Sequence, residues 1–147
     1  MVAGAITRFL HFSAGLDPTH VGIKGLPSPI RAGGGAALLA FVGHNGLMDM
    51  RAPIELQARP GTSPRSSVVL ACSSRPYFRD LLLDCGAHPL LLTTGRMAPE
   101  AYTLEAAVTA FAVRNPPDQV REAAASAYHR YQKCGMNGAR RLFSSDP

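Results

Sequence analysis

The chain has 147 residues, a length that suits one hydrophobic core and is short for two. With 46% hydrophobic and 17% charged residues it has an ordinary globular composition, and no apolar run approaches the length of about 18 residues that spans a bilayer, so no membrane partner is expected. The formal charge of +5 comes from scattered arginines, with only Lys24 and Lys133 as lysines and Arg140-Arg141 as the densest pair; this is not the basic stripe with interleaved aromatics of a nucleic-acid binder, and no nucleic-acid partner is expected.

The N-terminus carries a single Arg8 and a polar break at His11 to Ser13, so it lacks the three regions of a signal peptide, and the cellular location stays open. Residues 3–14 place Ile6, Phe9 and Leu10 at helical spacing, predicting a short amphipathic helix that ends at Gly15. Residues 16–35 hold Pro18, Pro27, Pro29 and five glycines, a composition that breaks helix and strand alike and predicts a long loop or flexible segment.

Residues 36–43 are a continuous apolar run between glycines, as in a parallel strand covered on both faces. It runs into His44 and Gly46. Residues 47–65 contain Pro53, Pro60 and Pro64 and an alternating piece at Ile54, Leu56 and Ala58, read as a variable loop region. Ser67 to Ala71 is a second strand that runs into Cys72, followed by a helix over 76–84 with Tyr77, Phe78, Leu81 and Leu82 on one face. Pro89 to Thr93 is a third strand, which makes a βαβ unit with an expected right-handed crossover.

After Pro99, the spacing of Leu104, Ala107, Val108 and Phe111 predicts a helix over 100–114, stopped by Asn115-Pro116-Pro117. Asp118 opens a last helix to Lys133 bearing Val120, Ala124, Ala127, Tyr128 and Tyr131, and the tail from Cys134 is expected to be loose. The expectation is one domain over 1–147: a helix and Gly/Pro-rich loop (1–35), an α/β core (36–133) and a tail (134–147).

In an open parallel sheet, reactive groups gather where the strands end. His44 and Cys72 both stand at strand ends, and a thiolate beside an imidazole suffices for acyl transfer. Gly43 and Gly46 would let a substrate approach the imidazole and could offer amides to an oxyanion. Ser73 and Ser74 leave room beside the thiol and lie at the start of a helix whose N-terminus favours a thiolate. Asp49 and Glu100 are the acids nearest in sequence; Asp49 is a weak candidate for a pocket selecting a basic side chain, and Glu100 suits a helix N-terminus. Cys85 reads as a packed small residue, and Cys134 as an incidental exposed thiol. Three widely spaced cysteines fit neither a disulfide framework nor a zinc site, His11, His20, His88 and His129 lack ligand spacing, and no metal or organic cofactor is expected.

GHNG after one strand, VLACSS after the next, a helix, the GAHPLLLTT strand and a long helix together resemble the caspase-like cysteine peptidases, the group that includes caspases, metacaspases, gingipains, separases and CHAT domains. The resemblance covers about residues 36 to 112 and implies a three-layer caspase-like sandwich, a mostly parallel sheet of at least three strands flanked by helices, shortened at its N-terminus. It implies His44 as general base or imidazolium partner, Cys72 as nucleophile, Gly46 and the Cys72 amide near the oxyanion, and a polypeptide as substrate. Asn45, a candidate oxyanion or site-lining residue, stands between a histidine and a glycine that are adjacent in the family pattern. The alternative is a non-catalytic domain of the same fold that binds a protein partner, or an inactive fragment of a larger peptidase.

Overall fold

The computed structural model describes residues 2–49 and 64–145. It is a mixed α/β structure with two sheets. The larger holds β3 (Leu38–Val42), β4 (Ser66–Leu70), β5 (His88–Thr93) and β6 (Phe143–Ser144) in that order, with β3, β4 and β5 mutually parallel and β6 antiparallel to β5. The smaller is a hairpin of β1 (Pro18–Val21) and β2 (Ile30–Gly33).

β4 shows why the sheet is covered on both sides. Successive side chains of a strand point to opposite faces. Val68 and Leu70 join a core with Leu91, Val120, Ala124 and Tyr128, while Val69 and Ala71 join another with Ile6, Leu10, Phe78 and Leu82. The first core is roofed by α3 (Ala101–Ala112), α4 (Pro117–Gln132) and α5 (Met136–Leu142), the second by α1 (Val2–Ser13) and α2 (Arg75–Asp84). Burying one such aliphatic or aromatic side chain contributes roughly 1.5–3 kcal/mol, so the strand with two apolar faces anchors the fold.

α1 buries Ile6, Phe9 and Leu10, the positions its spacing marked, and stops where Gly15 takes φ +83°. Phe9, Phe41 and Phe78 meet with ring centroids 5.8 to 6.3 Å apart, tying α1, β3 and α2 together. α3 and α4 run antiparallel, because Tyr102 near the start of one stacks on Tyr131 near the end of the other at 4.1 Å.

Three expectations are corrected. Residues 16–35 contain the β1–β2 hairpin, whose exposed four-residue strands carry no apolar alternation to reveal them. β3 is half-buried and not covered on both faces: among the described residues it takes the outer place in the sheet, with Leu39 and Phe41 packed toward α1 and α2 while Ala40 and Val42 are exposed. The tail is not loose, since α5 buries Ala139 and Phe143 of β6 is only 2% exposed, its ring edge-on to Tyr128 at 5.5 Å. The alternating piece at Ile54, Leu56 and Ala58 lies outside the described residues.

Candidate functional site

β3 and β4 pair in register, with Val42 opposite Leu70, and each chain continues two residues beyond that pair to His44 and Cys72. The two side chains therefore leave adjacent parallel strands at the same edge of the sheet. Gly43 makes the exit: its amide donates to Leu70 O at 3.1 Å, and its φ of +153° is one that a residue with a side chain rarely adopts.

The histidine side is open. The Nε2 atom of His44 lies 2.8 Å from Asp49 Oδ2, with the two side chains 62% and 73% exposed. A carboxylate only accepts, so Nε2 carries the proton in this contact, and in the neutral ring Nδ1 is left as an acceptor. The 3-10 turn Gly46–Met48 brings Asp49 back beneath the ring. Asp49 is thus the partner of His44, a role its weak assignment to a substrate pocket missed.

The cysteine side is closed. Cys72 is half-buried, its Sγ accepting from the Met97 amide at 3.5 Å and donating to the Met97 carbonyl at 3.6 Å. Ser73 has φ +48° and its amide donates to Gly95 O at 2.8 Å. Ser74 turns inward: its hydroxyl donates to Val69 O at 2.9 Å and accepts from the Thr93 amide at 2.8 Å, while its own amide donates to Thr93 Oγ1 at 3.0 Å. Thr93 Oγ1 donates in turn to Ala71 O. Ser74 and Thr93 are both fully buried and their hydroxyls satisfy one another's neighbours, which fixes the turn that carries the thiol.

Asn45 joins the two sides. Fully buried, it donates through Nδ2 to Cys72 O at 2.9 Å and to Ser73 O at 3.4 Å, and its Oδ1 accepts from the Leu47 amide at 3.2 Å. The Gly46 amide donates to His44 O at 3.0 Å. The amides of Gly43, Gly46, Ser73 and Ser74 therefore all have acceptors within the protein. No hydrogen bond links His44 to Cys72 among the described residues.

Cys72 lies three residues before α2, where the helix N-terminus favours an anion. Burial raises the pKa of Cys85 and keeps that thiol neutral; Cys134 is exposed. Glu100 stands at the N-terminal cap of α3. No group of three or more His, Cys, Asp or Glu residues is placed to hold a metal among the described residues, and no helix there is long and apolar enough to cross a membrane. A groove of about 570 Å³ between α3 and α4, lined by Tyr102, Thr109, Ala123 and Tyr131, contains none of the strand-end residues.

Two participants had no signal in the sequence. Met97 acts through its backbone, and Thr93 reads as the polar end of an apolar strand until Ser74 is seen against it. Compared with protein-family models, curated proteins and solved structures, the chain matches none.

Proposed function

We propose that this chain is a cysteine hydrolase domain that cleaves peptide bonds, built as a three-layer caspase-like sandwich, with Cys72 as nucleophile, His44 as general base and Asp49 orienting the imidazole. The single observation that supports it most is the delivery of His44 and Cys72 to one sheet edge by neighbouring parallel strands. The Asp49 contact adds the third group that a nucleophile–base pair uses to hold the base.

In this reading His44 Nδ1 takes the thiol proton as Cys72 Sγ attacks the scissile carbonyl. The tetrahedral intermediate collapses with C–N cleavage, and the imidazolium returns the proton to the departing amine. Water, deprotonated by the same imidazole, then hydrolyses the thioester and restores the thiol. The imidazole must turn toward Cys72 for this, a movement its exposure allows; catalytic contacts are commonly looser before substrate binds.

The test is alkylation by iodoacetamide at mildly acidic pH, with the modified cysteine mapped, alongside cleavage of a mixed peptide library. Cys72 is expected to label faster than Cys134 and to lose that advantage in His44→Ala, with library cleavage abolished in Cys72→Ala. A non-catalytic domain that docks a protein partner is the second reading. It is favoured by the separate partners that His44 and Cys72 keep, Asp49 and Met97. It prevails if Cys72 labels no faster than Cys134 and His44→Ala changes nothing.

A further inference from the structure

The residue that separates this site from two independent loops is Asn45. Its neighbours on either side in sequence are exposed His44 and buried Gly46, and its own side chain is 0% exposed. A buried carboxamide must find partners for two donor hydrogens and an acceptor oxygen. One partner is local: Oδ1 takes the Leu47 amide and starts the 3-10 turn that ends at Asp49. The others lie across the site, on the carbonyls of Cys72 and Ser73.

The same side chain thus touches both halves. Through Leu47 it shapes the turn that sets Asp49 under the His44 ring, and through Cys72 O and Ser73 O it holds the peptide that carries the thiol. A mere loop anchor needs only the local bond. Spending both donors on the carbonyls of the cysteine and the residue after it fixes the cysteine backbone relative to the histidine backbone, which is the relation a proton transfer between them depends on.

We propose that Asn45 is a positioning residue that couples His44 to Cys72, locking the histidine loop and the thiol-bearing turn into one unit. The inference rests on the cysteine hydrolase reading above and gives it a part that neither side chain of the pair supplies. Asn45 does no chemistry itself; it acts through the placement of the other two.

The experiment measures the rate of Cys72 alkylation by iodoacetamide from acidic to alkaline pH, with Cys134 in the same molecule as the reference thiol. Wild type, His44→Ala, Asn45→Ala and the double variant are compared, each checked for a native circular dichroism spectrum. In Asn45→Ala, Cys72 is expected to label about tenfold more slowly at acidic pH and its profile to move toward alkaline pH, as in His44→Ala. The double variant is expected to add nothing to either single one, since both remove the same coupling. A folded Asn45→Ala protein with the wild-type profile overturns the proposal.

If Asn45→Ala does not fold, the wild-type protein supplies the answer by nuclear magnetic resonance. The Asn45 side-chain amide signals are expected to shift both when His44 titrates and when Cys72 is alkylated; a response to neither, or to one alone, overturns the coupling. The two levels separate cleanly. Loss of Cys72 labelling in His44→Ala but not in Asn45→Ala sinks this inference and leaves the hydrolase reading standing. A shared shift in both variants without any cleavage of the peptide library supports the coupling and removes the peptidase.

Discussion

The two strand ends of the site are built in opposite ways. The end of β4 is packed on both faces and closed by the Ser74–Thr93 knot, so the thiol of Cys72 is placed by the core of the protein. The end of β3 lies, among the described residues, at the outer place in the sheet, and its histidine is held by one exposed carboxylate. The contrast teaches that one strand end can be fixed by the core while its neighbour is held by a single surface contact, and that the two sides should respond differently to substitution.

The largest effect is expected on the closed side. Thr93→Val keeps the shape and removes the hydroxyl, leaving the Ser74 amide and the Ala71 carbonyl buried without that partner. The expected cost is about 2–3 kcal/mol, read as a Tm lower by about 5–10 °C. His44→Ala, on the open side, is expected to change stability by no more than about 0.5 kcal/mol in the same melt. Equal losses in the two variants would break the contrast.

The next effect is on reactivity. Asp49→Asn keeps the ring in place through an amide that cannot hold the imidazolium, and Cys72 alkylation at mildly acidic pH is expected to slow by about threefold, with the melt unchanged. An unchanged rate would mean that Asp49 only decorates the loop.

The third concerns a thiol that belongs to neither end. Burial raises the pKa of Cys85, so it stays protonated and sheltered where Cys134 reacts. In native protein Cys134 is expected to be alkylated and Cys85 spared until denaturant is added; mass mapping before and after unfolding checks this. Because the folded-state pKa is raised, stability is lost as pH rises past the ordinary thiol range.

The smallest effect is at the surface, where Arg140 donates to Glu122 at 2.6 Å between α5 and α4. The guanidinium lowers the Glu122 pKa, so any stability from the pair is present above the ordinary carboxylate range and fades as pH falls through the lowered value. A slight Tm loss in Arg140→Ala at neutral pH is expected to vanish in acid; a loss that persists there would have another origin.

The strands and helices of the sheet core were legible in the sequence because burial leaves a pattern. Val68 to Leu70 and Leu90 to Leu92 are apolar without interruption since both faces of those strands are covered. β1 and β2 bury too little to leave such a mark, and the same apolar signature misled at β3, where Ala40 and Val42 face outward. α5 and β6 were hidden by Gly135 and Gly138 and by the charged Arg140-Arg141 pair, although Phe143 packs on Tyr128. At the site, His44 and Cys72 could be found because each follows an apolar run. Met97 could not, because a peptide group has no letter of its own, and Asn45 read as a residue lining the site, with no sign of the buried carboxamide reaching across to Cys72.

β6 has a consequence for how the molecule comes together. Its pairing of Phe143 with Thr93 joins residues farther apart along the chain than any other strand pairing among the described residues, with three helices laid down between them. Such long-range closures carry the largest loop entropy and tend to form late. The β3–β4–β5 ladder can assemble before Phe143 docks, and the side of β5 that β6 covers then presents unpaired backbone groups during that interval. Folding of this protein is therefore expected to show its greatest tendency to aggregate before its last strand is in place.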